Sequence, residues 1–586
     1  MNTIKQENWK RLLAAVLAVC LVLPLFGCKA REEPPPEPDQ TVREPQPVTE
    51  EERLSKLCKV WGYVKYTHPV FLLGEKDWDE ELLALIPQVR ELETDQEVNE
   101  LLHQWFVSLG EIDYGTTEPI VQWAEASKED RLVITDTSWT RDAAYLGEEL
   151  SGDLEQLGEI PDINRRKAPV KFMRQSVIDV TYPDFQNEEV YRGMDFADKG
   201  YRLLGLFRAW NVLEYFFPYH DLLEEDWADC LEELISAMLD GSDEYSYQTT
   251  ILMLLSKLHD NHVYFDTHPY SPTTGSRGAS YDRLSVTEAE GVLVVSATPE
   301  NCPLKLGDVI LRVNSTAVEE IAQLLKVYVP CSREEIFLSR YASAILVAMG
   351  INNPQAEVTV LRDGTEETFL CENLSVSSVG ESPQEDYLIL EENIGLINPA
   401  NLQVRISMME DLRDTDGLII DLRQYPAFGM YDFSSYFTTK YAPVFLDASP
   451  SKAVPGAYIR EIHSAGYQPS DEARGVYHYD KPVVVLVNEH TQSAGEWAAW
   501  SIGKGENVVL MGQNTSGALN RIGNAPLPGG FWFTFTAVRA ELDDGSQLQR
   551  VGITPDISVA RTIQGIKEGR DELMEAAIAY IREAGE

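Results

Sequence analysis

The spacing of apolar residues changes several times along the chain, and each change marks an element. Leu12 to Phe26 is a continuous apolar run of 15 residues, short of the roughly 20 that cross a bilayer. Arg31 to Glu50 is rich in Pro, Glu and Gln; such a stretch buries no core and predicts a stiff, solvated tether. Helical spacing follows, in two segments with one pattern. Trp61-Gly-Tyr-Val-Lys-Tyr-Thr-His-Pro69 precedes Asp77-Trp78, and Trp210-Asn-Val-Leu-Glu-Tyr-Phe-Phe-Pro218 precedes Asp226-Trp227, with a constant offset of 149 residues. Each predicts a helical hairpin: an aromatic helix ending at its proline, then a second helix from the Asp-Trp pair. Tryptophans at this spacing read as core.

Beyond residue 280 the pattern turns to strands. Val292–Ser296, the run around Val309–Val313, and Glu357–Thr365 with its Asp363-Gly364 turn are β in character, while Lys326–Gly350 reads as helical. In the last third, Gly395–Pro399, Asp416–Arg423, Pro482–Asn488 and Asn507–Gly512 are short apolar runs with helical stretches between them. That alternation is the signature of an α/β domain with helices on its sheet. After Val487 a short loop leads into a helix that starts at or near Ser493. A group there meets unpaired backbone N–H groups and the positive end of the helix dipole. Serine is also a common N-cap, so position alone leaves Ser493 as either a cap or a nucleophile.

Composition narrows the function. The chain has 586 residues, enough for several domains. With 49 basic against 95 acidic residues its formal charge is -46, which excludes a phosphate-binding surface and hence nucleic acid as partner. Seven cysteines show no zinc or redox spacing, so no metal or organic cofactor is implied. Any disulfide would join two of Cys302, Cys331 and Cys371. At the N-terminus, Lys5, Lys10 and Arg11 before the apolar run, and Leu25-Phe-Gly-Cys28 after it, make a secretory leader. Its end resembles a bacterial lipobox, which implies a lipid on Cys28 and an extracytoplasmic, membrane-anchored protein. Phe26 is bulkier than lipoboxes usually carry, which leaves ordinary signal cleavage or an uncleaved anchor as alternatives.

Several motifs in order carry a family resemblance. Leu-Gly-Asp-Val-Ile-Leu-Arg-Val-Asn314 resembles the signature of a PDZ domain, a module that adds an extended peptide to a sheet edge. Around it stand Leu258-x-Asp-x-His262, Asp421-Leu-Arg423, Thr491-x-Ser-Ala-Gly-Glu496, Gly512-x-x-Thr-x-Gly517 and Gly552-Ile-Thr-Pro-Asp556. Together, over roughly 200–585, they resemble the tail-specific, or C-terminal processing, protease family, which includes the tricorn protease core. The resemblance implies a multidomain α/β protein: helical N-terminal repeat units, a PDZ-like β-rich module and a crotonase-like α/β serine-peptidase core. The expected boundaries are 1–28 leader, 29–50 linker, 51–195 first helical repeat domain and 196–275 second repeat unit with its histidine. A PDZ-like module over 276–378 and a peptidase core over 379–586 follow.

The same resemblance assigns Ser493 as nucleophile and the Ala494 N–H to the oxyanion. Family members with a serine–lysine dyad carry the lysine at the position of Ala518, so the matching base here is His262, as in tricorn-like members. The glycine-rich turn that supplies a second oxyanion donor reads Gln424-Tyr-Pro-Ala-Phe-Gly429, which points to Ala427. Where tricorn-like enzymes place the acid that orients the histidine, this chain has Gln549 and Arg550; Asp260 and Glu496 are the substitutes available. His259 and His490 read as structural. The expectation is a serine endopeptidase acting on peptide or unfolded protein outside the membrane. A non-catalytic peptide-binding lipoprotein on the same fold is the rival. An esterase elbow fails, because Ser493 lacks flanking glycines.

Overall fold

A computed structural model describes residues 47–115, 118–175, 179–265, 283–377, 385–400, 406–427 and 430–585. The leader, Cys28, Phe428 and Gly429 lie outside the described residues. Helices Glu50–Thr67 and Lys199–Phe216 are each 18 residues long. Both stop before a proline, which drives the preceding residue out of helical geometry: His68 has ψ 131° and Phe217 ψ 120°. The next helical segments start behind Asp77 and Asp226, and the third helices behind Thr94 and Asp243, each cap accepting a backbone N–H. The caps 49/198, 77/226 and 94/243 all keep the 149-residue offset. Each unit therefore carries a third long helix beyond the two of the predicted hairpin. The third pair, Asp95–Ser108 and Glu244–Ser256, shares position but none of the tryptophans that mark the repeat.

Trp61 and Trp210 occupy equivalent places. Trp61 Nε1 donates to Trp78 O at 2.8 Å, and Trp210 Nε1 to Trp227 O at 3.4 Å. The two long helices cross where Gly62 meets Asn211; a Cβ on Gly62 would lie 1.7 Å from Asn211 Oδ1. Below the crossing, four charges are buried together. Arg208 pairs with Asp79 (2.6 Å) and Glu188 (3.1 Å), and Lys65 with Glu188 (2.6 Å). Two cations and two anions leave no net charge in the core, and removing one partner would strand the others without water.

The chain after the first unit does not stay with the helices. Arg131–Val133 adds antiparallel to strand Ala457–Gly466, and Thr181 N donates to Ser449 Oγ at 3.0 Å. In return, the hairpin Ile522–Leu527/Phe531–Thr536 sends Leu527, Phe531, Phe533 and Phe535 into the helical core. Segments exchanged in both directions join the helical half to the last third.

Residues 284–377, where the PDZ-like motif falls, form a seven-stranded, largely antiparallel sheet with its own core. Its hairpin Gln355–Arg362/Thr365–Glu372 turns at Asp363 and Gly364, φ 50° and 79°, the two positive values a two-residue turn of this hand requires. Helix Phe337–Ala348 packs on the strand Leu284–Ala289. Cys302, Cys331 and Cys371 are unbridged thiols.

The last third is built on a six-stranded sheet. Its order is Tyr387–Ile389, Ile394–Ile397, Gly417–Asp421, Val483–Val487, Val508–Gly512, Ile557–Ser558, parallel after the first pair. Val483, Val485 and Val487 face one apolar cluster, and Val484 and Leu486 the other. Both faces are covered, which is why the strand reads as an unbroken apolar run. Arg423, just past the second parallel strand, pairs with Asp421 (2.7 Å) and Asp571 (2.8 Å), tying the strand end to the C-terminal helix. The mixed α/β class expected from the sequence holds.

Trp61→Ala and Trp210→Ala are each expected to destabilise the protein by about 3–5 kcal/mol through the cavity left behind. Urea unfolding of the two variants checks this; a loss far smaller in one than the other would show that the units do not bear equivalent load.

Candidate functional site

Strand Val483–Val487 ends in the middle of the sheet, and the chain turns through Asn488–Gln492 into helix Ala494–Ile502. The turn is pinned by Thr491, whose hydroxyl donates to Leu422 O (2.9 Å) and accepts from Asn488 N (3.0 Å). Ser493 sits between turn and helix at φ 56°, ψ -118°. A cap residue ordinarily takes extended backbone angles, whereas a non-glycine residue at this φ costs of order 1–3 kcal/mol and marks a functional turn. The backbone here is not that of an ordinary cap, although Ser493 and Glu496 still form a reciprocal capping box.

Glu496, with 0% exposure, holds that strain in place. Its carboxylate accepts from Gly517 N (2.7 Å), Ala518 N (3.1 Å), Ser493 N (3.3 Å) and the Thr515 hydroxyl (2.5 Å). Burial pushes its carboxyl up and the four donors oppose that shift. Ser493 N also donates to Ala518 O at 2.9 Å. The residue at the lysine position of serine–lysine members thus touches Ser493 through its backbone, and its side chain is a buried methyl group.

His262 lies on the loop after helix Glu244–Ser256. Asp260 accepts from His262 N (3.0 Å) and Thr536 N (3.0 Å), Thr534 Oγ1 donates to His262 O (2.6 Å), and Tyr264 N donates to Thr534 Oγ1 (3.1 Å). Two threonines on one face of the strand Phe531–Thr536 thereby clasp the loop. The ring partner is Thr536: His262 Nδ1 is 2.8 Å from its Oγ1. Neither Asp260 nor Glu496 hydrogen-bonds the imidazole; Asp260 acts on it through charge alone. Burial lowers the His262 pKa, Asp260 raises it, and Arg340 lowers it. His262 Nε2 is buried with no hydrogen-bond partner.

His262 and Ser493 line one cavity of about 270 Å³, together with Ala494, Tyr425, Trp497 and Asp447. Gln492 Nε2 donates to Asn261 O (3.1 Å), joining the loop of the serine to that of the histidine. Asn261, which the sequence reading passed over, is the anchor of the histidine loop. Its Nδ2 reaches Ser516 Oγ (2.6 Å), its N and Oδ1 are bonded to Ser332, and Arg340 donates to its carbonyl (3.2 Å). The helical 326–350 segment thus supports the site directly.

One sequence expectation changes. Ala427 N donates to Pro399 O at 2.7 Å, so it is not an open oxyanion donor; Ala494 lies on the cavity wall in the first helical turn. His490 lies away from the cavity, its Nε2 3.1 Å from Ser339 Oγ, and burial lowers its pKa to about 4. His259 borders a separate cavity with Glu224 and Lys257. Among the described residues no group of His, Cys, Asp and Glu is placed to hold a metal.

Residues 394–559 match the model of peptidase family S41. A carboxyl-terminal-processing protease of Synechocystis sp. is 23% identical over 229 residues, 37% of this chain and 51% of that protein. The match thus spans about half the length of that curated relative. Among solved structures, a CPAF mutant aligns with TM-score 0.51 at 12% identity, over 66% of this chain and 97% of its own. The photosystem II D1 C-terminal processing protease aligns with TM-score 0.38 at 17% identity, over 66% and 97%. The CPAF likeness is one of fold. The family match, over residues 394–559, takes in the Ser493 turn and the Glu496 clamp described above.

Proposed function

We propose that the protein is a serine endopeptidase that hydrolyses exposed peptide segments with Ser493 and His262. The observation that carries the proposal is the unpartnered Nε2 of His262 in the same cavity as Ser493. An imidazole nitrogen buried without a partner is costly, and a serine hydroxyl with a peptide in place would relieve it.

In this reading the neutral imidazole takes the hydroxyl proton on Nε2 as Ser493 Oγ attacks the scissile carbonyl carbon. The carbonyl oxygen becomes an oxyanion held by the Ala494 N–H. Collapse breaks the C–N bond, and the same proton passes from Nε2 to the leaving amine. Water then attacks the acyl-serine, with His262 again taking a proton and returning it to Ser493. The mechanism uses the tautomer in which Nδ1–H donates to Thr536 Oγ1, a contact the hydroxyl can accept, and Nε2 is left free to accept. With no amine at Ala518, the lysine route has no base.

The leader and Leu25-Phe-Gly-Cys28 support an extracytoplasmic location with a lipid on Cys28, and the Pro/Glu-rich stretch a tether between anchor and enzyme. The 284–377 sheet, on the same reading, presents substrate chains to the site. Cys28→Ala is expected to release the protein from membranes; unchanged fractionation would remove the anchor from the proposal.

Ser493→Ala and His262→Ala should each abolish cleavage of an unfolded protein substrate and do so by similar factors, since the pair works as a unit. A fluorophosphonate should label wild type and not Ser493→Ala. Absence of labelling and turnover in wild type would leave a peptide-binding protein in place of the enzyme.

Burial lowers the His262 pKa, so the base is neutral at lower pH than an ordinary imidazole. The rate should therefore rise with pH on a limb below about 6.5 and stay level through neutrality. A limb in the alkaline range of an amine would contradict a histidine base.

Thr536→Val keeps the shape and removes the ring partner. A fall of about tenfold in kcat, the value of roughly one oriented hydrogen bond, is expected with KM little changed. Full activity would mean that packing alone orients the ring.

A further inference from the structure

The cavity beside Ser493 contains a carboxyl group that this chemistry does not use. Asp447, in strand Tyr441–Pro450, is 4% exposed and lines the cavity with Ser493 and His262. Its Oδ1 accepts from Asn520 Nδ2 at 2.8 Å. Asn520 is held at φ 90° to make that contact, a strained angle for a residue with a Cβ. Oδ2 is 3.8 Å from His463 Nδ1, beyond hydrogen-bonding range.

Among the described residues no Lys or Arg side chain pairs with this acid. Its register partner on the neighbouring strand is Glu461, so two carboxyl groups stand on one face of the sheet, an unfavourable pairing of like groups. On the other side, Arg539 is committed to Asp221 (2.7 Å) and Glu541 (3.1 Å). Arg521 lines the cavity but lies over the ring of Tyr182 at 4.4 Å, and among the described residues it makes no ion pair with Asp447. Burial pushes the Asp447 carboxyl up to about 8, as expected for an acid lacking its counter-charge. Trp497, Leu519 and Ile522 give the same cavity apolar walls. Apolar walls and a lone buried acid fit one kind of side chain: a long aliphatic stem that ends in a cation.

We propose that Asp447 is a specificity-determining residue that receives the ammonium or guanidinium of a Lys or Arg side chain in the peptide held against Ser493. The proposal rests on the peptidase reading for the identity of the ligand. A bound cation supplies the missing counter-charge, draws the carboxyl to its ionised form, and leaves Asn520 in place on Oδ1. The stem displaces water from the apolar walls, adding affinity that a short polar residue would not gain.

Binding to the full-length Ser493→Ala protein tests this without turnover. Acetyl-Ala-Ala-Lys-amide and acetyl-Ala-Ala-norleucine-amide share the stem and differ in the ammonium. By calorimetry above the Asp447 range, the lysine peptide should bind at least about tenfold tighter, the value of a charged hydrogen bond. Adding Asp447→Asn, which can still accept from Asn520, should bring the two peptides to equal affinity. Equal affinities with Asp447 intact, binding of neither peptide, or a lysine preference that survives Asp447→Asn would overturn the proposal. The two peptides titrated with Asp447 intact decide the matter even if the Asn variant does not fold. Lysine-selective binding together with no cleavage by wild type would sink the peptidase reading and leave the Asp447 pocket standing.

Discussion

The site depends first on one buried carboxylate. Glu496 has no solvent and four donors, so it cannot move without losing several hydrogen bonds at once. It welds Ser493 N to the Thr515–Ala518 turn and so holds the serine at a φ its own sequence would not choose. The turn is rigid in its own right. Gly517 has φ 74°, and a Cβ there would come within about 3 Å of the backbone at Val551 and Gly552. A Cβ on Gly552 would meet Thr515 O at 2.5 Å, and Thr515 Oγ1 accepts from Ile553 N (2.7 Å). The separated Thr-x-Gly and Gly-Ile-Thr-Pro-Asp motifs are therefore two sides of one contact, which stands behind the nucleophile.

The histidine is held by a different principle. Four parts of the chain converge on its loop, mostly through Asn261. The hairpin ending at Thr536 supplies the ring partner, the serine turn supplies Gln492, the turn after strand Val508–Gly512 supplies Ser516, and the 326–350 segment supplies Ser332 and Arg340. A displacement of any of the four shifts Nε2 relative to Ser493. The placing of His262 beside Ser493 thus belongs to the assembly of all these regions.

Much of this was legible in the chain itself. Capping residues and prolines set the helix ends, and the valine run at 483–487 announced a sheet buried on both faces. The strand, turn and helix around Thr491–Glu496 could be read because their constraints are local, while the role of Ser493 came only from the family resemblance. What was not legible is what arises across hundreds of residues. Thr536 alternates with Thr534 on a strand, a pattern that says they share a face but not that the face meets His262. Asn261 looked like spacing between Asp260 and His262, yet six of its bonds go to residues 71 or more positions away. The Ala427 amide is another such case: the sequence shows a donor but not the carbonyl of Pro399 that takes it.

The same distinction explains why the missing acid at Gln549 and Arg550 does not leave His262 unsupported. An acid in a triad does two things: it orients the ring, and it stabilises the imidazolium as the proton arrives. Here the two tasks are separated. Thr536 Oγ1 orients Nδ1 without charge, while Asp260, fixed by the N–H groups of His262 and Thr536, supplies negative potential from the same loop. Separation costs some transition-state stabilisation, since charge at a distance acts more weakly than a charged hydrogen bond. It also leaves Nε2 a weaker base than in a full triad, because burial and Arg340 depress it with less to oppose them. On the proposed mechanism, a chain with neither the lysine amine nor the orienting carboxylate is therefore not left without a base, but with one suited to lower pH.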